Sequence, residues 1–334
     1  MTSDLILRDF RPDDLEAVLA LKKTLFPHLD IDTERRRWRW EFDENPARPP
    51  HLPPVWIFEK EGRVVGSYGL IPLAMSLCER DLFGICGTDF CMDPSMQGKG
   101  IGQAFIRRFL DPSLCEFPFF VVPTEVTLHL MMKYGAIVID GNSERCLWVF
   151  YCNSPEDPPA PDPAIRIEEL NDFDARFDSL FSRVRRRYGL MVTRDQRYLR
   201  WRYLRFPFCR PRIFAADRDD GELCGFAVLL PDVRENRSYV TELLHDPDDS
   251  SGARALLSRC SAAARESGVA ELYIIHRALP VHKDLEASRF HPVPKHLIRF
   301  GCRLSLEGVS PDDWYLTTGD GDLLYSVVHP ALQT

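Results

Sequence analysis

The chain has 334 residues, 45% of them hydrophobic, with a formal net charge of −8 and a pI near 5.7. That length suits two domains of about 100–200 residues each, and the acidic balance excludes nonspecific nucleic-acid binding. No stretch approaches the ~18 apolar residues that span a bilayer, and Met1-Thr2-Ser3-Asp4-Leu5 has no basic or apolar signal region, so a cytoplasmic protein is expected.

In chain order, residues 5–10 read as a strand ended by Arg11-Pro12, and residues 13–25 as an amphipathic helix with acidic residues in its first turn. Residues 33–42 read as a second helix. Residues 55–58 and 63–75, separated by Glu59-Lys60-Glu61-Gly62, form a hairpin. Residues 82–92 are mostly apolar and bounded by charge, which predicts a strand buried inside a sheet. A helix follows over 101–110, where Ile101, Phe105, Ile106 and Phe109 recur at helical spacing. Residues 117–122 give a strand, 124–134 a helix stopped by Gly135, and 136–140 and 147–151 two strands that close the series. The class is α/β, with a mixed (α+β) sheet.

Between the strand ending at Met92 and the helix after it lies Asp93-Pro94-Ser95-Met96-Gln97-Gly98-Lys99-Gly100-Ile101-Gly102. Three glycines at alternate positions permit backbone angles at which successive N–H groups converge at a helix's positive end, where a pyrophosphate fits. The spacing matches neither a P-loop nor a dinucleotide-binding fingerprint. Gln97-x-x-Gly100-x-Gly102 resembles the Q/R-x-x-G-x-G/A acyl-CoA signature of the GCN5-related N-acetyltransferase (GNAT) superfamily. That resemblance implies binding of acetyl-CoA as co-substrate by Gln97, Gly98, Lys99, Gly100, Ile101 and Gly102. It implies, too, that the strand end at Cys91 and Met92 holds the pantetheine arm and supplies a backbone oxyanion donor. Gly100→Asp or Gly102→Asp is expected to abolish this binding and leave the fold intact.

The N-terminal pattern recurs farther on. Trp40-Glu41-Phe42-Asp43-Glu44-Asn45-Pro46 has a counterpart in Trp201-Arg202-Tyr203-Leu204-Arg205-Phe206-Pro207, each ahead of a similar hairpin, and Asp93-Pro94 has one in Asp246-Pro247. The tryptophans read as packing anchors. Asn153 to Pro163 is proline-rich and acidic and predicts an extended linker. Two tandem GNAT-like domains are therefore expected, at 1–152 and 164–334, joined by 153–163. In the second, Asp248 and Asp249 stand where phosphate would sit; one such charge at ~4 Å costs about 4 kcal/mol at an effective dielectric of ~20, so that half is expected to be degenerate.

The resemblance implies acyl transfer, most simply of acetyl, to a primary amine of a small molecule, amino sugar or amino acid. A non-catalytic acyl-CoA-binding scaffold is the alternative. Asp89, on the strand leading to the nest, is the candidate base, and Glu125 opens the facing helix. The family's tyrosine acid would fall at Met131, so either Tyr134 substitutes for it, or water protonates the departing thiolate, or the activity is altered. His129 lies nearby and reads as a surface residue. None of the ten cysteines forms a C-x-x-C pair, and His276, His282, His291 and His296 show no ligand spacing, so no metal is expected.

Overall fold

The structure is a computed structural model that describes residues 5–121, 124–139, 146–232, 235–293, 300–303 and 314–328. Val122, Asp140 and His296 of the expectations above lie outside those residues.

The first half opens with β1 (Leu5–Asp9), α1 (Leu15–Leu25) and α2 (Ile31–Trp38), which runs into a π-helical turn, Arg39–Asp43. The hairpin β2 (Val55–Lys60) and β3 (Arg63–Leu77) leads to β4 (Arg80–Met92), a 3-10 turn at Pro94–Met96, and α3 (Gly102–Phe109). Then come β5 (Phe117–Val121), α4 (Glu125–Lys133), β6 (Ile137–Ile139) and β7 (Leu147–Tyr151). These elements match the sequence expectations closely.

The second half runs β8 (Ile165–Leu170), α5 (Ala175–Val184), β9 (Leu190–Val192), α6 (Gln196–Leu199) and a second π-helical turn, Arg200–Leu204. It continues with β10 (Arg212–Arg218), β11 (Leu223–Asp232), β12 (Arg237–His245), α7 (Ser250–Glu266) and β13 (Glu271–Ile275). It ends in α8 (Leu279–Ala287), β14 (His291–Pro292), β15 (Phe300–Cys302) and α9 (Leu323–Val328).

Two mixed sheets result, ordered β1-β2-β3-β4-β5-β15-β6 and β14-β7-β13-β12-β11-β10-β8, with β9 added to the end of β3. The halves exchange strands. β7 does not close the first sheet, as its place in sequence suggests; it lies antiparallel to β13 and β14 in the second. β15 fills the gap between β5 and β6 in return. Both strands are apolar enough to be interior, so hydrophobic pattern alone cannot tell which sheet receives them. A cut at residues 153–163 thus separates the covalent halves and leaves each sheet with a strand of the other.

A pseudo-twofold contact joins the halves at the π-helical turns. The Trp40 indole N–H donates to the Trp201 carbonyl (2.9 Å), the Trp201 N–H donates to the Trp40 carbonyl (2.7 Å), and the rings stack with centroids 5.6 Å apart. Each buried indole thereby satisfies its polar edge on its counterpart's backbone. One continuous core spans both halves, including Trp40, Ile57, Phe119, Trp148, Trp201, Phe226 and Leu256.

Candidate active site

Among the described residues β4 pairs in parallel with β5 from Gly84↔Phe117 to Gly87↔Phe120, and residues 88–92, beyond the last of these pairs, border a wedge beside the sheet. A bulge sets their direction. Thr88 pairs with Gly69 and Cys91 with Ser67, so Asp89 and Phe90 oppose Tyr68 alone, and Asp89 takes a left-handed φ of 48°. The extra residue bends and twists the strand. Beyond it, the Asp93 N–H donates to the Val65 carbonyl on β3 (2.9 Å). Strand alternation then turns the Met92 backbone outward to the open edge and the Cys91 backbone back toward β3.

The loop after β4 is held at both ends. Asp93 accepts from the Ser95 N–H (2.9 Å) and hydroxyl (2.6 Å), and Gln97 Nε2 donates to the Met92 carbonyl (3.2 Å). Gly98 and Gly100 have φ of 72° and 75°, the left-handed region that favours glycine. Among the described residues, the N–H groups of 98–102 donate to no protein acceptor, and they crown the N-terminus of α3. Gly102 serves differently: a Cβ there would come within 2.7 Å of the Phe90 ring, so this glycine lets helix and bulged strand touch. Gly102→Asp would therefore disturb packing, contrary to the sequence expectation, and only Gly100 offers a clean test.

On the other face of the wedge lies a buried charge cluster. Lys22 Nζ sits 3.0 Å from one Asp89 oxygen and pairs closely with Glu34; Arg37 Nη1 is 3.1 Å from the other Asp89 oxygen. Arg37 Nη2 lies 2.9 Å from Glu41. Burial opposes the charge on Asp89, but Arg37 and Lys22 outweigh it and hold its carboxyl at about 2. This corrects the expectation that Asp89 accepts a proton: both oxygens are engaged and so weak a base takes protons poorly near neutrality. Burial pushes Glu41 up to about 7, and its side chain is wholly enclosed.

The sequence reading missed the remaining member. Asp322, from the far end of the chain, accepts from the Thr88 hydroxyl (2.9 Å), and burial raises it to about 6. Next to it, Tyr325 lays its ring under the Arg37 guanidinium (4.1 Å) and donates to Glu34. No local motif marks Asp322, because only the tertiary path of the chain brings it here. Arg37 and Glu41 had a faint signal, flanking a repeated tryptophan whose second copy carries Arg202 in place of Glu41.

No protein-family model matches the sequence, and no curated protein does so. Solved structures are similar over most of the chain. A GCN5-related N-acetyltransferase from Kribbella flavida superposes with a TM-score of 0.67 at 18% identity, covering 90% of this chain and 70% of its own. One from Anabaena variabilis gives 0.66 at 10%, covering 89% and 72%. The fold is that of the GCN5-related N-acetyltransferases. Saccharomyces cerevisiae N-myristoyltransferase with bound myristoyl-CoA also resembles it, at a TM-score of 0.56 and 12% identity, covering 90% of this chain and 79% of its own.

The remaining residues of the sequence expectation lie on and around α4. Met131 is buried in the core behind α3, whereas the Tyr134 hydroxyl donates to Gln103 Oε1 (2.5 Å) beside the nest, with Arg107 over its ring at 5.0 Å. Glu125 and His129 are exposed on α4, His129 Nδ1 lying 2.7 Å from the Glu125 carbonyl. The Cys91 thiol is buried and pushed up to about 12, which leaves it unreactive. Among the described residues no three metal-ligating side chains converge, and no helix is long and apolar enough to cross a membrane.

The wedge of the second half is filled by its own chain. β12 and β13 pair only as far as Val240↔Ile274, and residues 314–320, all buried, enter the gap beyond. There the Gly319 N–H donates to Thr241 and the Arg277 N–H to Leu316, both at 2.9 Å. Glu242 accepts from Tyr315 (2.6 Å) and Arg194 (2.9 Å). The start of α7 is closed too: Asp249 accepts from the Ser251 N–H (3.0 Å) and pairs with Arg218 (2.7 Å), while Asp248 pairs with Arg187. These carboxylates are matched, so self-capping and the inserted chain close this half, where the sequence had suggested bare charge repulsion.

Proposed function

We propose that the first half binds acyl-CoA and transfers its acyl group to a primary amine, by direct attack of the nitrogen on the thioester. One observation carries the reading: the two halves share a wedge and a strand-to-helix loop, and among the described residues the loop of the second is self-capped whereas that of the first leaves five uncommitted amides at the start of α3. Their partial positive charge and that of the helix favour an anion there. Gln97, Gly98, Lys99, Gly100, Ile101 and Gly102 would hold the pyrophosphate, and the Met92 backbone, facing the wedge, would serve the pantetheine arm or the oxyanion. Tyr134, which caps α4 beside the nest, would serve as the acid toward the departing sulfur. Acetyl-CoA is the simplest donor, and the acceptor belongs to small molecules, amino sugars or amino acids. We read the two halves as a duplicated unit of which the second became a support.

Such a site works chiefly by alignment, which can supply roughly 7–11 kcal/mol of the barrier, with a base adding about 10²–10⁴-fold. Calorimetry with acetyl-CoA, followed by thiol release in the presence of a panel of primary amines, tests the proposal. Saturable binding with turnover supports it. Binding without turnover for any amine selects the scaffold alternative, and absence of binding refutes both.

A further inference from the structure

The base left vacant by Asp89 has a candidate in the second half of the chain. After filling the second wedge, the chain turns at Gly321, where a Cβ would come within 2.7 Å of Cys86 Sγ on β4 and 3.4 Å of Val121 on β5. The turn thus sits against both strands that border the first wedge. Arg202, from the second π-helical turn, donates to the Gly321 carbonyl and fixes it. The next residue, Asp322, receives the hydroxyl of Thr88, the first residue of β4 past its last pairing with β5.

We propose that Asp322 is the catalytic base of the first-half site, taking the proton from the acceptor nitrogen as it attacks the thioester. The assignment rests on the acyl-transfer reading above. The other carboxylates of the cluster each pair with Lys22 or Arg37. Asp89 is clamped by Lys22 and Arg37, Glu34 is held by Lys22 and Tyr325, and Glu41 is enclosed against Arg37. Glu125 lies exposed at the start of α4, and Tyr134 beside α3 is on the nest side. Asp322 is of intermediate exposure, and its carboxyl meets the Thr88 hydroxyl just past the last described β4–β5 pair.

Its surroundings suit the task. Arg37 and the Thr88 hydroxyl favour its charged form, while burial, Asp89 and Glu41 oppose it, with Arg202 and Cys86 on the adjoining elements. The balance leaves a carboxylate ionised at neutral pH yet more basic than an ordinary aspartate, which takes up a proton more readily. In the step, the nitrogen lone pair forms the C–N bond, the nitrogen's proton passes to Asp322, and the C–S bond breaks with its electron pair leaving on sulfur. The CoA thiolate takes a proton from the Tyr134 hydroxyl, which solvent restores, and Asp322 then returns its proton to water.

The test compares wild type, Asp322→Asn, Asp322→Glu and Thr88→Val, with acetyl-CoA and the amine panel, from pH ~5 to ~9. Asp322→Asn should lower kcat by about 10²–10³-fold, leave acetyl-CoA affinity within about threefold, and abolish the acidic limb of kcat/KM near pH ~6. Asp322→Glu should recover part of the rate. Thr88→Val, losing a hydrogen bond to the charged form, should move that limb to higher pH, and it keeps the test alive if Asp322→Asn does not fold. A folded Asp322→Asn that keeps both its rate and its acidic limb overturns the assignment, as does a Thr88→Val limb that stays put. Failure of the underlying reading looks different: the wild type itself would bind no acetyl-CoA or would cleave no thioester, and the assignment would fall with it.

Discussion

Replacing Gly100 isolates the electrostatics of the nest, because the position offers room but demands an unusual backbone. Its φ is 75°, and the nearest atom to an added Cβ is Gln103 Nε2 at 3.4 Å, the end of a flexible side chain. An L-residue pays roughly 1–2 kcal/mol for the left-handed conformation, with Asn and Asp the most tolerant of it. Gly100→Asn and Gly100→Asp therefore share nearly the same backbone cost and differ by one charge. At ~4 Å from a phosphate and an effective dielectric of ~20, that charge is worth about 4 kcal/mol, or close to three decades of affinity. Calorimetry with acetyl-CoA at low salt should find Gly100→Asn within about tenfold of wild type and Gly100→Asp about 10³-fold weaker than Gly100→Asn. Raising the salt to ~1 M, where the Debye length is ~3 Å, should recover part of the difference. If the Asp and Asn proteins melt alike and bind acetyl-CoA equally well, no phosphate lies at this loop.

Five other outcomes follow from the structure. Asp89→Ala would leave Lys22 and Arg37 without their shared partner and should cost about 3–5 kcal/mol in chemical denaturation. The Asp89 carboxyl is depressed to about 2, so its contribution is present above the unfolded pKa of 3.8 and lost as pH falls toward the folded one; Asp89→Asn should accordingly lose less stability between those values than wild type. Trp201→Phe removes the N–H that satisfies the Trp40 carbonyl and should cost about 1–3 kcal/mol, measured by urea melts. Brief labelling of the native protein with a thiol reagent, read by mass spectrometry, should mark exposed Cys78 ahead of the eight buried thiols, with half-buried Cys209 slower. A protease site inserted between Pro159 and Ala160 should, once cut, give two fragments that co-elute on a sizing column until denaturant is added; separation in native buffer would contradict the strand exchange.

Short-range physics made most of the first half legible. Alternation, helical spacing and the Gly98-Lys99-Gly100 turn chemistry locate β1 to α4 within a few residues, and the glycine loop falls between strand and helix as its sequence requires. The repeated Trp40 and Trp201 were readable as anchors, though not as each other's hydrogen-bond partners. What stayed hidden depends on contacts remote in sequence. β7 and β15 have the same apolar character whichever sheet they join, and Asp322 reaches Thr88 across 234 positions. Asp89 could be placed on the right strand but not given its chemistry, since Lys22 and Arg37 come from helices whose faces the sequence only partly specifies. The Asp248 and Asp249 charges were visible, and their arginine partners were not.

The traded strands also bear on how the protein is made. During synthesis the slot between Phe120 and Val138 stays vacant until Gly301 has left the ribosome. At about 5–20 residues per second, that is an interval on the order of 10–30 s in which two apolar strand edges stand unprotected. A chaperone that shields such edges would find its natural client in the half-made chain, and a ribosome stalled before that point would release a polypeptide unable to complete even its leading sheet.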